Sequence, residues 1–253
     1  MKLENVIAMV TGGASGLGEA CARAIIEAGG KVVAVDMNEQ RGADLAVELG
    51  DNLIFAQGDV TSEQDIGAAL DACEAAHGPV NALVNCAGIA IAAKTVGRDG
   101  AHPMSSFSKV IDVNLKGTFN TCRLAAERMQ HNGADEDGNT GVIVNTASIA
   151  AFDGQKGQPA YAASKAGVAG MTLPMARDLA SYGIRVNCIA PGLFLTPMLQ
   201  GLPEEAQEAL GKQPLFPKRL GKPSEVADLA VFLISHSYMN GEIIRVDGGI
   251  RLP

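Results

Sequence analysis

The stretch from Asn5 to Asp36 constrains this chain more than any other. Asn5–Val10 is a short apolar run suited to a parallel strand buried on both faces. It meets T-G-G-A-S-G-L-G (Thr11–Gly18), an alanine-rich helical stretch follows to Ala28, and Gly29-Gly30 stops it. K-V-V-A-V-D (Lys31–Asp36) then reads as a second strand ending in an acid. Strand, glycine loop, helix, strand, acid is the order of a dinucleotide-binding unit. The glycines are Gly12, Gly16 and Gly18, spaced G-x-x-x-G-x-G and not G-x-G-x-x-G. Backbone without Cβ atoms approaches a pyrophosphate closely, and the helix N-terminus offers it free N–H groups. Asp36 can accept from both hydroxyls of an adenosine ribose and would repel a 2′-phosphate. Neither Gly13 nor Met37 offers that phosphate a cation, and Arg41, a turn into the next helix, reads as a solvated surface charge. NAD is therefore expected over NADP.

The alternation continues without a break in composition. Helical stretches are expected at 38–49 and 62–77, strands at 52–57 and 80–84, and an extended loop from Ile89 to Ser105. Asp59, at the end of the third strand, is a candidate acceptor for the adenine amino group and a candidate cap for the helix opening at Thr61-Ser62, and the two roles are compatible. Ser106–His131 reads as one long helix carrying Asn114, whose amide needs partners inside an apolar pattern. Asn132–Thr140 reads as a surface hairpin, and strands follow at 142–147, 184–189 and 242–246, with a last helix at 223–235. The expected architecture is α/β: one Rossmann-type doubly wound domain over 1–253, with a seven-stranded parallel sheet and helices on both faces. The segment of about 193–216, apolar and punctuated by proline, is expected to form a substrate flap.

Tyr161 and Lys165 are four residues apart, so on a helix they share a face. A free tyrosine has a pKa of about 10, and a cation held beside a phenol favours its charged form. Such a pair suits acid/base work near neutral pH. Ser148 precedes Tyr161 by thirteen residues at the tip of an apolar run, where its hydroxyl can meet a substrate oxygen. The helix from Pro159 is built almost wholly from small residues and is apolar on more than one face, which points to a subunit interface.

Other classes are set aside by composition. The net charge of −8 gives no basic surface for nucleic acid. There is no run of eighteen apolar residues to span a membrane. The strand begins almost at the N-terminus, so no signal peptide is expected and a cytoplasmic location is. The five cysteines form no C-x-x-C and the four histidines have no ligand spacing, so no metal site is expected.

Thr11–Gly18, Asn85–Gly88, Asn114, Ser148, Tyr161–Lys165 and Pro191-Gly192 together resemble the short-chain dehydrogenase/reductase family, in the family's order and over essentially the whole chain. The resemblance implies a nicotinamide cofactor and a tetrad of Asn114, Ser148, Tyr161 and Lys165. In it Tyr161 transfers the proton and Ser148 positions the substrate oxygen, while Lys165 holds the nicotinamide ribose and Asn114 holds a water in the relay. The blocks V-N-C-A-G-I-A, D-V-N-L-K-G-T-F-N, N-T-A-S-I-A-A-F-D-G-Q, G-M-T-L-P-M-A-R-D-L-A and I-A-P-G-L-F look like a branch that acts on 3-hydroxyacyl-CoA thioesters in fatty acid metabolism. Cys86 departs from the broader family's second Asn but agrees with that branch. By this resemblance the cofactor contacts are Gly12, Ser15, Gly16, Leu17, Gly18, Asp36, Asp59, Val60, Cys86, Ala87, Gly88, Tyr161, Lys165, Pro191, Phe194 and Thr196. Ser148, Gln155 and Tyr161 are the substrate contacts, with Lys94, Arg98, Lys212 and Lys218 as candidates for the CoA phosphates. The implied activity is NAD-dependent interconversion of (S)-3-hydroxyacyl-CoA and 3-oxoacyl-CoA by a soluble homotetramer. The alternative is a hydroxysteroid or secondary-alcohol dehydrogenase with the same tetrad.

Overall fold

Each apolar run of the sequence becomes a strand of one parallel sheet, and each helical stretch crosses back over it. The computed structural model describes residues 1–98, 100–201 and 203–252. The strands are β1 (Ile7–Thr11), β2 (Lys31–Asp36), β3 (Leu53–Gln57), β4 (Ala82–Asn85), β5 (Gly141–Thr146), β6 (Ile184–Pro191) and β7 (Ile243–Val246), ordered β3-β2-β1-β4-β5-β6-β7. All six neighbouring pairs are parallel. The chain builds outward from β1 to β3, then returns to the other side of β1 with β4. That reversal opens a crevice at the carboxyl ends of β1 and β4, where ligands of such sheets bind.

The helices are α1 (Gly16–Glu27), α2 (Glu39–Leu49), α3 (Glu63–His77), α4 (Met104–Ile111), α5 (Thr118–Met129), α6 (Pro159–Leu179), α7 (Pro197–Gln200), α8 (Glu204–Gly211) and α9 (Pro223–Ser235). Strand periodicity sorts side chains to opposite faces. Ala8, Val10, Val32 and Ala34 pack with Cys21, Ile25, Val226 and Leu233 of α1 and α9. Met9, Val33, Val35 and Leu83 pack with Ile66, Leu70, Cys122 and Met129 of α3 and α5. Arg185, buried in β6, donates to Asn139 Oδ1 and to the carbonyls of Leu233, Ile234 and Met239, so the C-terminal end of α9 is tied to the sheet.

Three expectations need correction. The helix expected over 106–131 begins at Met104, ends at Met129 and is interrupted by a π-helical turn at Asp112–Gly117. The expected hairpin at 132–140 has no strand pairing. The Asp135 carboxylate instead accepts from the backbone N–H groups of Asp137 and Asn139, holding a compact turn. The loop after Ile89 does contain a two-residue antiparallel ladder, Val96–Gly97 with Gly100–Ala101, made possible by Gly100 at φ +114°. In the single chain α6 buries one face, and Ala163, Ala166, Gly170 and Leu173 form an exposed stripe on the other. Leu202, inside the expected flap, lies outside the described residues. Among the described residues no helix is long and apolar enough to cross a membrane, and no group of three His, Cys, Asp or Glu side chains could hold a metal ion.

Candidate active site

A cleft of about 520 Å³ opens at the carboxyl ends of the strands. Its floor is the glycine turn between β1 and α1. Gly12 and Gly16 have φ of +62° and +57°, a region that only glycine enters readily. A Cβ on Gly18 would overlap the Gly12 carbonyl oxygen, and one on Gly12 would lie 2.9 Å from the Ala87 nitrogen. Ser15, which caps α1, makes no side-chain hydrogen bond to the helix, so the first-turn N–H groups stay unclaimed by it. A backbone cradle that admits no side chain, at the positive end of a twelve-residue helix, fits a dinucleotide pyrophosphate.

Asp36 closes one end of the cleft. Its carboxylate accepts from Ala14 N at 3.2 Å and Asn38 N at 3.0 Å, fixing its orientation towards the cleft. Arg41 is half-exposed, as expected of a solvated surface charge, but it is tethered. Its Nε donates to Ala14 O at 3.1 Å, and its guanidinium pairs with Glu19 at 3.1 Å. Asp36 and Arg41 thus grip the same residue of the loop from its two polar ends. Asp59 Oδ1 accepts from the N–H and hydroxyl of Thr61, whereas Ser62 caps α3 by accepting from Asp65 N at 3.1 Å. The capping role expected of Asp59 is therefore replaced by a local turn.

At the other end stand the polar groups of the expected tetrad. Tyr161 and Lys165 project from the first turns of α6, with Lys165 Nζ 5.9 Å from the tyrosine ring centroid. Lys165 is 5% exposed, and its ammonium donates to Thr146 O at 2.8 Å at the tip of β5. Ser148 follows two residues later, 9% exposed, with Oγ accepting from Ala150 N at 3.1 Å. Asn114 is fully buried and does not line the cleft. It sits in the π-turn behind Gly88, where a Cβ would come within 3.2 Å of Asn114 Oδ1 and 3.5 Å of Lys165 Nζ. Asn114 Nδ2 also donates to Ser164 Oγ at 3.1 Å, and that hydroxyl donates to Tyr161 O at 2.7 Å.

Gly12, Ser15, Gly16, Leu17, Gly18, Asp36, Asp59, Val60, Cys86, Ala87, Gly88, Ser148, Gln155, Tyr161, Lys165, Pro191, Phe194 and Thr196 all border this one cleft. Of the other candidates, Asn114 stands behind it, and Lys94, Arg98, Lys212 and Lys218 do not border it. Sequence reasoning missed Thr146, Gln158, Leu199 and Leu252, which border it too. Gln158 had a signal in lying just before the Pro that opens α6; Leu252 had none, since it arrives from the tail after β7.

Behind the Ser148 loop, Arg245 of β7 bridges Asp153 at 2.8 Å and Asp247 at 2.7 Å, and stacks 5.3 Å from the Phe152 ring centroid. At the start of α9, Arg219 grips Glu225 with both terminal nitrogens at 2.8 Å, and Lys222 N donates to the same carboxylate at 2.7 Å. These bonds hold the Glu225 carboxyl down at about 2.

The family model described as short chain dehydrogenase matches residues 6–207. The 3-hydroxyacyl-CoA dehydrogenases type-2 of Drosophila melanogaster and Homo sapiens are each 50% identical over 252 residues, covering 99% of this chain and 99% and 97% of those proteins. A 3-oxoacyl-[acyl-carrier-protein] reductase of Thermotoga maritima is 38% identical over 261 residues, covering 99% of each chain. The crystal structure of a 3-hydroxyacyl-CoA dehydrogenase type-2 from Mycobacterium avium superposes with a TM-score of 0.93 at 44% identity, over 97% of this chain and 96% of that one. Matched over most of its length by family, by relatives and by fold, this chain belongs to the short-chain dehydrogenases, oxidoreductases that use a nicotinamide cofactor.

Proposed function

We propose that this dehydrogenase interconverts (S)-3-hydroxyacyl-CoA and 3-oxoacyl-CoA with NAD. The observation that carries the reading is one cleft with two chemically distinct ends: the Asp36 carboxylate at one, and Ser148, Tyr161 and Lys165 at the other. A dinucleotide lying across the glycine turn would set its adenosine against Asp36 and its nicotinamide near Tyr161. Asp36 already orients its oxygens through Ala14 N and Asn38 N, which suits ribose hydroxyls and disfavours a 2′-phosphate. When bound, the nicotinamide supplies the hydride acceptor for the oxidation, or the donor for the reverse.

The residues of this chain do the rest. Tyr161 Oη takes the proton of the substrate C3 hydroxyl as that carbon is oxidised, and returns it in reduction. Ser148 Oγ hydrogen-bonds the same oxygen and keeps it beside Tyr161. Lys165 is anchored at Thr146 O, so its charge is held beside the phenol without wandering. Asn114 acts from behind, organising the Ile89 backbone and the first turn of α6. Gln155, with Gln158, lies where this cleft meets a smaller groove bordered by Lys94 and Lys156. Those two cations suit the phosphates of a CoA ester better than Lys212 and Lys218, because Lys212 pairs with Glu208 at 3.7 Å and Lys218 donates to Lys212 O. We further take residues 1–253 as one functional domain with 193–216 as its flap. The exposed small-residue stripe of α6 would then be a contact between copies in a homotetramer.

The test is a steady-state comparison of acetoacetyl-CoA, a ketosteroid and a simple secondary alcohol, each with NAD(H) and NADP(H). The proposal expects the highest kcat/KM for the thioester with NAD(H). A steroid or plain alcohol turned over faster than any 3-oxoacyl-CoA would overturn the substrate assignment.

A further inference from the structure

The loop that leaves the cleft at Ile89 is gripped at two points. Asn114 holds the first, the Ile89 backbone. The second is Ala93, which is claimed at both of its polar ends. Its N–H donates to Gly157 O at 2.9 Å, and its carbonyl accepts from His102 Nδ1 at 3.1 Å. A ring nitrogen that faces a carbonyl carries the proton, which leaves His102 Nε2 as an acceptor. Nε2 is buried and has no hydrogen-bond partner among the described residues. A ring turned out to water would satisfy both nitrogens. This one stays in, edge-on to Phe107 of α4 at 6.0 Å between centroids, and keeps one polar atom unpaired. An unpaired buried nitrogen costs free energy and calls for an explanation. The explanation on offer is the bond to Ala93.

Beyond Ala93, Gly157 sits inside a closed turn with φ of +86°. Gln158 N donates to Gln155 O at 3.0 Å, and Gln155 N donates to Gln158 Oε1 at 3.1 Å. Both glutamines border the cleft and the smaller groove, where Lys94 and Lys156 also stand. His102 itself borders neither. We propose that His102 is a positioning residue for the substrate mouth: it fixes Ala93, and through the Ala93 N–H it fixes the Gln155–Gln158 turn opposite. The proposal rests on the acyl-CoA reading above, because a substrate must run from the cleft into the groove to meet both loops. Without the Nδ1 donor the two loops are ordered only when substrate arrives, and binding is weaker by that ordering. Tyr161, Ser148 and the cofactor half of the cleft lie outside this chain of bonds, so the chemical step is spared.

The test uses steady-state kinetics of the full-length enzyme. His102→Phe keeps an aromatic ring against Phe107 and loses the donor. Its KM for acetoacetyl-CoA should rise by about fivefold or more, the scale of one lost hydrogen bond, with kcat and the NADH dissociation constant within about twofold of wild type. For S-acetoacetyl-N-acetylcysteamine, which lacks the part of CoA that would reach the groove, the variant should match wild type. His102→Asn, whose amide nitrogen can take the place of Nδ1, should restore KM. His102→Gln, whose amide reaches the place of Nε2, should not, and this pair decides the matter if the phenylalanine variant fails to fold. A wild-type KM in H102F, an equal rise with the truncated thioester, or an H102Q enzyme as good as H102N would overturn the positioning role. So would kcat and NADH affinity falling together with KM, which marks a general loss of structure. Wild-type enzyme that turns over a ketosteroid faster than the thioester would remove the acyl-CoA reading, and this proposal with it, before any variant is compared.

Discussion

Asn114 holds both polar groups of the Ile89 backbone: Oδ1 accepts from Ile89 N at 2.8 Å and Nδ2 donates to Ile89 O at 2.9 Å. A side-chain amide that imitates a strand partner in this way needs to sit at a set depth in its helix. The π-turn at Asp112–Gly117 provides that depth, as such turns commonly do near functional sites. Asn114→Ala leaves the Ile89 groups without partners. A stability loss of about 1–3 kcal/mol is expected in denaturant titration, together with a fall in kcat larger than the rise in KM.

Tyr161→Phe removes one oxygen and leaves the ring packing. Its kcat should fall by about 10²- to 10⁴-fold, the usual share of a positioned acid/base. The dissociation constant for NADH, read by fluorescence titration, should stay near wild type. Wild-type turnover in this variant would remove tyrosine from the proton transfer.

Asp36→Ala should move cofactor preference towards NADP. Arg41 already lies against Ala14 O, one residue's width from the lost carboxylate. The ratio of kcat/KM for NADP over NAD is expected to rise by about tenfold or more, since tenfold corresponds to only about 1.4 kcal/mol. In the double variant Asp36→Ala with Arg41→Ala much of that gain should vanish, which separates relief of repulsion from a new cation contact.

Acid stability should depend on Glu225. Its folded-state carboxyl is held at about 2 by Arg219 and by Lys222 N, against about 4.3 in an unfolded chain. A depressed carboxyl stabilises above the unfolded value and gives that stabilisation up as pH falls through the folded value. Glu225→Gln should therefore lower Tm at pH 7, and the gap from wild type should close between about pH 4 and pH 2. Because the pair is about two-fifths exposed, the gap at pH 7 is expected to be small.

The glycine loop, the positions of the strands and the Tyr161–Lys165 pair were legible because each rests on local chemistry: a missing Cβ, a buried apolar run, a helical spacing. The π-turn was not. D-V-N-L-K-G carries ordinary helix formers, and the extra residue in its turn is settled by Ile89 twenty-five positions away. The tether of Arg41 was hidden for the same reason, since its partner Ala14 belongs to another element. The place of Leu252 in the cleft likewise depends on how the tail folds after β7, which no periodicity records.

The bridge from Arg245 to Asp153 ties the last strand of the sheet to the loop that carries Ser148 towards Gln155. β7 is therefore a mechanical anchor for the Ser148 side of the cleft. Cutting or crowding the tail would be felt first as a loosened grip on substrate, while the nucleotide half of the molecule stayed intact.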